Sequence, residues 1–338
     1  MVNFAMCWST HFHRVTRRVN ISMKTFLITG ATGFIGRRLV SRLNESVDEV
    51  SVVGTGRGAC PGPWDRFIEI DLAAPAAEMD LSGVGTVFHL ASKAHAVAEV
   101  PGDTSGYNEV IVEGTRCLVA AAERASVHSL IYISSVKAMG EGESRRQQLH
   151  PLDESCSAKP ETPYGRCKLE AESIVLQSKI PHVVVLRPVM VYGPGHKGNL
   201  VRMADAIRKG RFPPISENMN RRSMVHVDDL VSACELAALS EKANREVYVI
   251  AGEAALSTRQ LYDALRREMK MRPIRWGVPG VILLGVAKLG DLMETMTGKR
   301  MPLSSDIAWK LLGSAWYSNQ KSKDDLGLVY KSESRFLD

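Results

Sequence analysis

Two side chains with acid–base chemistry, Tyr164 and Lys168, lie four residues apart. This spacing puts both on one face of a helix, which we predict to run to about Gln177. A tyrosine has an ordinary pKa of about 10, so a neighbouring lysine cation is needed to stabilise its phenolate near neutral pH. The pair therefore predicts proton transfer at an oxygen, the step that accompanies hydride transfer at an alcohol carbon.

A serine lies where it can hold the same oxygen. The apolar run Leu130–Ile133 predicts a strand, and Ser134 and Ser135 follow it directly. Open α/β sheets bind ligands at the carboxyl ends of their strands. We therefore choose Ser135 as the hydroxyl that holds the substrate oxygen.

A glycine-rich loop follows the first apolar run and precedes a helical pattern. Glycines at this point let the chain turn tightly and let its backbone approach a pyrophosphate at the N-terminus of a helix. The loop predicts a bound nicotinamide dinucleotide, held by Gly30, Gly33, Phe34, Ile35 and Gly36. We expect Tyr164 and Lys168 to contact the cofactor as well, with Lys168 on the nicotinamide ribose.

The segment after the second predicted strand bears on the choice of dinucleotide. Folds that bind NAD usually place an acid there for the adenosine ribose, but Val53–Arg57 contains none. Arg57, together with Arg37, is suited to a 2′-phosphate. The sequence favours NADP(H) and leaves NAD(H) open. Asp71 and Leu72 are expected near the adenine, although an aspartate there is also a common helix cap.

Short apolar runs alternate with longer helical patterns between residues 23 and 190. Near-continuous apolar strands of this kind are typical of a parallel sheet covered by helices on both faces. The predicted strands are Phe26–Thr29, Val50–Val53, Phe67–Ile70, Val87–Leu90, Leu130–Ile133 and Val183–Leu186. We predict a Rossmann-type, doubly wound α/β domain over 23–190.

A smaller substrate-binding lobe is predicted over 191–338, part of which returns to the first domain. Gly/Pro punctuation replaces the alternating pattern there. Ser257 and Gln260 have the spacing of a capping box and predict the start of a helix.

Composition excludes several classes of protein. The 338 residues carry a net charge of +6, which falls to +3 when the three arginines of residues 1–22 are left out, too little to indicate nucleic-acid binding. Six cysteines without paired spacing indicate neither a disulfide framework nor a metal site. The longest apolar run, Val278–Ala287, is about half of the ~20 residues that a membrane span requires. A cytoplasmic protein is expected.

Residues 1–22 have no hydrophobic periodicity and lack the apolar run of a secretory signal. We predict that they are a non-native or disordered extension before Met23. A transit-like leader and an ordered arm remain as alternatives.

Eight motifs between Met23 and about Leu328 fit one family: Gly30–Gly36, His89–Ala91, Gly114–Thr115, Ser134–Ser135, Tyr164–Lys168, Leu186–Pro188, Val191–Gly195 and Arg222–Asp229. Together they resemble the extended short-chain dehydrogenases/reductases, in the nucleotide-sugar epimerase/dehydratase branch. The resemblance implies that Ser135, Tyr164 and Lys168 have the roles given above. It further implies that Leu90 and Ala91 contact the cofactor, and that the C-terminal lobe grips the diphosphate of an activated sugar.

The resemblance also implies substrate contacts and an assembly. Arg222 resembles the arginine that binds the diphosphate, and Asn199 resembles an amide that contacts the sugar nucleotide. The alternatives are an exposed loop charge and a helix N-cap. Family members often dimerise through helices that would here span Tyr107–Glu123 and Tyr164–Gln177, so a homodimer is expected.

The sequence departs from the family pattern at two places. Ile111 stands where many members have an asparagine, so we expect a packing contact to replace a buried polar link. Lys137 and Met139 stand where many sugar epimerases have small residues and a tyrosine. Neither change removes the catalytic set, but both bear on the choice of sugar.

The function that fits best is an enzyme acting at C4 of a UDP-hexose or UDP-N-acetylhexosamine, as a 4-epimerase or a 4-keto-sugar reductase. Lys197–Asn199 and the polar stretch Gly140–Pro163 resemble members that act on N-acetylated sugars in surface-polysaccharide assembly. One alternative is a reductase or dehydrogenase of a sterol-like or other apolar ketone, which Arg222 and the polar stretch disfavour because such a ligand needs an apolar rim. The other is a catalytically silent dinucleotide-binding protein.

Overall fold

A computed structural model describes residues 25–46, 50–58, 60–74, 79–93, 105–140, 150–196, 198–297, 304–331 and 336–337. The predicted extension 1–22, residues 141–149 of the polar stretch, and Lys197 lie outside the described residues.

A seven-stranded sheet lies at the centre of the described chain. Its strands are β1 (Thr25–Thr29), β2 (Ser51–Gly56), β3 (Arg66–Glu69), β4 (Thr86–His89), β5 (Ser129–Ile133), β6 (His182–Pro188) and β9 (Val247–Ile250). They pair in parallel in the order β3-β2-β1-β4-β5-β6-β9. The six strand predictions and the doubly wound α/β fold are confirmed, and β9 joins the sheet although it follows residue 190.

The composition of the strands explains why both faces of the sheet are covered. Successive residues of a strand point to opposite faces, and here both sets are apolar and buried. One face contributes Leu27, Val87, Leu130, Val183 and Val185 to one core. The other contributes Ile28, Phe88, Ile131, Val184 and Leu186 to a second core. The sheet is thereby fixed between two layers of helices.

The described helices follow the strands along the chain. They are α1 (Phe34–Ser46), α2 (Ser105–Tyr107), α3 (Gly114–Arg124), α4 (Pro163–Leu176), α5 (Asn199–Arg208), α6 (Val227–Leu239), α7 (Thr258–Glu268), α8 (Gly280–Thr297), α9 (Ser305–Leu312) and α10 (Gln320–Leu326). A π-helical segment, Asn108–Glu113, connects α2 to α3. The helix predicted to end near Gln177 is α4, for which Gln177 is the C-cap.

A second, three-stranded sheet supports the C-terminal part of the chain. It is formed by β7 (Met190–Tyr192), β8 (Arg222–His226) and β10 (Ala255–Leu256), in the order β10-β8-β7. Its apolar core includes Leu200 of α5 and Leu265 of α7. Helix α7 begins with the predicted capping box, in which the side chains of Ser257 and Gln260 each bond to the other's backbone N–H.

The longest apolar run of the sequence forms the first half of α8. Its Leu283 and Ala287 are buried against Ile215 and Ala308. Among the described residues, no helix is long and apolar enough to cross a membrane.

Candidate active site

The ammonium group of Lys168 is buried at the carboxyl end of β5. The residue is 1% exposed, and its Nζ donates a 2.8 Å hydrogen bond to the carbonyl oxygen of Ile133, the last residue of the strand. The Nζ lies 4.7 Å from the centre of the Tyr132 ring and 6.0 Å from that of Tyr164. The ring of Tyr132, the nearer of the two, therefore stabilises the Lys168 cation through a cation–π interaction.

Burial changes the pKa of both members of the pair. It lowers the pKa of Lys168 to about 7, although the carboxylate of Glu172 acts in the opposite direction. It raises the pKa of Tyr164 to about 12, while the nearby hydroxyls of Ser92 and Ser135 act in the opposite direction. By themselves, these shifts make Tyr164 a neutral phenol at neutral pH and let Lys168 titrate there. A further positive charge beside the phenol is needed before it acts as a base.

A close approach of two backbone segments brings Tyr164 to Ser135. A Cβ added at Gly165 would lie 2.3 Å from the carbonyl oxygen of Lys137, so only glycine fits between α4 and the turn after β5. In that turn the Ser135 hydroxyl accepts a 3.2 Å hydrogen bond from the backbone N–H of Lys137. Helix α4 begins with Pro163, where the hydroxyl of Thr162 caps the backbone N–H of Gly165. The structure thus brings Ser135, Tyr164 and Lys168 together.

One turn beyond Lys168, α4 carries a buried carboxylate that fixes the helix to the sheet. Glu172, 2% exposed, receives hydrogen bonds of 3.0 and 2.6 Å from the guanidinium of Arg187 on β6. The hydroxyl of Ser134 also donates to it. A bidentate pair with a further donor compensates the desolvation of both charges. These hydrogen bonds among Ser134, Glu172 and Arg187 join α4 to β6 and to the end of β5, one helical turn from Lys168.

A chain of neutral hydrogen bonds runs beside this cluster. The Thr29 hydroxyl accepts from the backbone N–H groups of Leu90 and Ala91, both at 3.1 Å, and its proton is therefore directed to Nδ1 of His89 at 2.7 Å. Nε2 of His89 then donates to Thr115 at 2.9 Å. Burial, with the nearby Lys168 cation, lowers the pKa of His89 to about 3. This histidine is consequently a neutral link between β1, β4 and α3, and no proton donor near neutral pH.

The glycine-rich loop has the shape of a dinucleotide cradle. Gly30 has a φ of +69°, and a Cβ there would lie 3.0 Å from Ala91. A Cβ at Gly36 would lie 2.2 Å from the carbonyl oxygen of Gly30. Only a glycine at position 36 lets the first turn of α1 approach the loop this closely. Helix α1 has no acid in its first turn, which leaves its N-terminus suited to a phosphate. These residues fit a dinucleotide, and they bring Gly30, Leu90 and Ala91 together.

The residues predicted to bind the adenosine end of the dinucleotide lie at or just after the carboxyl ends of β2 and β3. Arg57 is exposed and directly follows β2, and the guanidinium of Arg37 donates to the loop carbonyl of Thr32 at 3.0 Å. An acid that the sequence did not suggest, Glu69, is the partner of Gly56 in the β2–β3 register. Two residues later the carboxylate of Asp71 accepts from Ala73 within its own turn.

The side chain of Leu72 lies against Gly114 at the start of α3, because a Cβ there would meet the Cβ of Leu72 at 2.8 Å. This predicted cofactor residue therefore contacts the core beside the Gly114–Thr115 motif.

Arg222 and Asn199 both lie in the part of the chain that the three-stranded sheet supports. Arg222, the first residue of β8, is half-buried and donates to the carbonyl oxygen of Gly313 at 3.3 Å. Burial lowers its pKa, and no carboxylate among the described residues lies within ion-pair distance. Asn199 is exposed and is the first residue of α5, for which Gly198 is the N-cap. The loop before it meets the cradle, since the rings of Phe34 and His196 are 5.2 Å apart.

The two departures from the family pattern have local consequences. Ile111 is buried in the apolar core, in line with the expected packing contact, and its carbonyl oxygen accepts a hydrogen bond from the hydroxyl of Thr115 at 2.5 Å. It belongs to the π-helical segment, a conformation that often occurs at functional sites. Met139 is buried and Lys137 half-buried in the turn after Ser135.

Several residues of the site were not predicted from the sequence. Ser92, Glu172 and Glu69 are examples, and the place of Glu69 follows from strand register. Two of them had a local signal: Ser92 follows the His89–Ala91 motif, and Glu172 lies one turn after Lys168 on the same helix.

Comparison with known proteins gives a family for this arrangement. Residues 26–251 match the NAD dependent epimerase/dehydratase family. The chain belongs to this family. The match covers the cradle, the buried lysine, Arg222 and the strand β9.

Relatives with assigned names cover nearly the whole chain. The chain is 29% identical over 311 residues to a UDP-glucose 4-epimerase of Vibrio cholerae, with 90% of each chain covered. It is 26% identical over 286 residues to the N-acetyl-alpha-D-glucosaminyl-diphospho-ditrans,octacis-undecaprenol 4-epimerase of Escherichia coli O157:H7, with 82% of each covered. The structure of MoeE5 in complex with UDP-glucose and NAD superposes with a TM-score of 0.70 at 25% identity, over 92% of this chain and 95% of that one.

The buried Lys168 makes stability depend on pH in a defined direction. The unfolded lysine keeps its proton up to its ordinary pKa of 10.5, while the folded one loses it near 7. Between these values the unfolded state binds more protons, so the free energy of unfolding rises with pH. We expect Lys168 to contribute a gain of about 2 kcal/mol between about pH 7 and pH 9.

Denaturant unfolding of the dinucleotide-free protein at the two pH values measures this gain. Lys168→Met should lose it, whereas Lys310→Met, at an exposed lysine paired with Asp306, should keep it. Equal pH dependence in wild type and Lys168→Met would show that the ammonium carries no burial penalty.

Proposed function

We propose that this protein is an NAD(P)-dependent enzyme that acts at C4 of a nucleotide-activated hexose or N-acetylhexosamine, a UDP-sugar, as a 4-epimerase or a 4-keto-sugar reductase. The observation that carries the proposal is the buried ammonium of Lys168, 6.0 Å from the centre of the Tyr164 ring, together with the Ser135 hydroxyl near the same phenol. Such a constellation removes or supplies one proton at one oxygen.

Each member of the set has one role. The Ser135 hydroxyl donates a hydrogen bond to the substrate oxygen and holds it against the phenol. Tyr164 takes the proton of the C4 hydroxyl, or returns it to a C4 carbonyl. The Lys168 cation would lower the pKa of that phenol and would hold the ribose of the cofactor through a hydrogen bond. When bound, the nicotinamide ring supplies or accepts the hydride, and its oxidised form adds the positive charge that Tyr164 needs.

The cofactor is proposed to lie along the carboxyl edge of the sheet. Its pyrophosphate would lie on the cradle formed by Gly30, Gly33, Phe34, Ile35 and Gly36, and Leu90 and Ala91 would pack against it. Asp71 and Leu72 would lie at the adenine. The family's NAD dependence supports a nicotinamide dinucleotide.

Arg222 supports a diphosphate in the substrate. A half-buried guanidinium without a carboxylate partner among the described residues leaves donors unused, and a doubly charged diphosphate satisfies them. The Vibrio relative is named for a UDP-sugar, and the Escherichia relative for a sugar joined through diphosphate to undecaprenol. The glycosyl diphosphate is the chemistry common to both. Asn199 is proposed to contact the same ligand.

Arg222 also disfavours the alternative of an apolar ketone as substrate, because such a ligand would leave the Arg222 guanidinium desolvated and without an anionic partner. A silent dinucleotide-binding protein would have no need of a lysine whose burial lowers its pKa to about 7. We further propose the homodimer through α3 and α4, the division of the chain at about residue 190, and a cytoplasmic location.

Binding of UDP tests the substrate part of the proposal. UDP should raise the unfolding temperature of the protein, because a ligand that binds only the folded state stabilises it. Arg222→Ala should lose most of the shift. Arg221→Ala is the matched control, because the Arg221 guanidinium lies 4.6 Å from the ring of Trp316, and it should keep the shift. A wild-type protein that UDP does not protect would instead favour an apolar substrate.

Substitution of two residues of opposite charge tests whether the protein prefers NADP(H) or NAD(H). Arg57 favours a 2′-phosphate, while the carboxylate of Glu69, next to Gly56 in the register, favours a free ribose hydroxyl. Arg57→Ala should weaken NADPH binding about tenfold more than NADH binding, and Glu69→Gln should shift the ratio the other way. Fluorescence titration with both reduced cofactors measures the ratio. Equal losses for both cofactors in Arg57→Ala would contradict the role of the arginine.

A further inference from the structure

One helix of the C-terminal lobe exposes a continuous apolar face. Seven large apolar side chains of α8 are between 50% and 78% exposed: Val281, Ile282, Val286, Leu289, Leu292, Met293 and Met296. At about 100° per residue they lie within about 140° of the helix circumference. We call them the α8 face. Isolated exposed apolar residues are ordinary, but a patch of this size marks an interaction site.

The opposite side of α8 is the side that packs on the protein. Leu283 and Ala287 are buried there. Both acids of the helix point to that side on the helical wheel, and the carboxylate of Asp291 accepts the backbone N–H of Ser305 at 3.0 Å. The α8 face therefore contains no carboxylate.

Positive charge lies at one edge of the α8 face and in the segment that precedes the helix. Lys288 is exposed at its edge on the helical wheel, and Arg272, Arg275 and Trp276 are exposed just before the helix begins. An apolar helical face flanked by cations and an exposed tryptophan is the pattern of a helix that lies in the headgroup region of an anionic membrane.

We propose that the α8 face binds the surface of a membrane that contains anionic lipids, with α8 lying in the plane of the interface. Seven side chains of this kind bury enough apolar surface for reversible attachment, and the flanking cations add attraction to the headgroups. A second copy of the chain is disfavoured as the occupant, because the dimer proposed above uses α3 and α4, and two α8 faces would bring their flanking cations together.

The same lobe carries the proposed diphosphate site. Helix α9 packs on α8 through Ala308, and the carbonyl oxygen of Gly313, directly after α9, accepts a hydrogen bond from Arg222. Resting on the proposed function, a membrane-bound α8 would hold Arg222 near sugar diphosphates carried by a membrane lipid, the kind of substrate for which the Escherichia relative is named.

Vesicle flotation tests the proposal with the full-length protein. Wild type should float with vesicles of phosphatidylethanolamine and phosphatidylglycerol, and much less with phosphatidylcholine alone. Leu289→Ser/Met296→Ser should reduce binding by about tenfold or more, since two anchoring side chains are lost. The matched control is Met219→Ser/Val329→Ser, at residues 63% and 66% exposed outside the face, and it should float like wild type. Arg272→Gln/Arg275→Gln should reduce binding to anionic vesicles only.

Two further measurements distinguish membrane binding from a failure of the proposed function and from self-association through the α8 face. Turnover of a soluble UDP-sugar should be unchanged in Leu289→Ser/Met296→Ser, so loss of vesicle binding and failure of the proposed function give different results. Sedimentation velocity without lipid should give the same oligomeric state for wild type and this variant. Wild type that does not float, or an oligomer that dissociates in the variant, would overturn membrane binding, the latter in favour of a second copy.

Discussion

The active site depends on keeping an ammonium group away from water. Lys168 is held by one carbonyl oxygen and one aromatic ring below it, which is little compensation for a buried charge. Its carboxylate neighbour Glu172 is already engaged with Arg187. The protein thus maintains a cation whose charge is not fully neutralised. In the proposed function, that residual charge would stabilise the Tyr164 phenolate and hold the ribose of the cofactor.

Arg187 and Arg222 differ in the same respect, namely whether a carboxylate of the protein neutralises the cation. Arg187 is buried with a bidentate carboxylate and holds the sheet to α4, a structural arrangement. Arg222 is half-buried with one carbonyl oxygen as its acceptor and has no carboxylate near it among the described residues. A buried cation without an anion is costly unless a ligand supplies the anion. The paired cation fixes the geometry, and the two incompletely compensated cations, Lys168 and Arg222, account for the proposed chemistry and substrate.

Local patterns were enough to predict the strands, the cradle and the spacing of Tyr164 and Lys168. Each of these depends on residues close in sequence: alternation along a strand, glycines in one turn, or two residues on one helix turn. Glu69 and Ser92 were missed because their places follow from strand register and from packing between segments far apart in the sequence. The π-helical segment has no periodic signature, and the exposure of the α8 face follows from which side of the helix packs on Ile215. An apolar run alone does not reveal that side.

The most direct test of the central claim follows deuterium at C4. The protein is given a UDP-sugar deuterated at C4, or its 4-keto form together with a nicotinamide cofactor deuterated on the transferable position, and the product is examined by NMR and mass spectrometry. We predict slower turnover than with protium, and deuterium only at C4 of the product. Tyr164→Phe should form no product, because the proton cannot be transferred. Deuterium washed out into solvent, or turnover by Tyr164→Phe at the wild-type rate, would contradict this prediction.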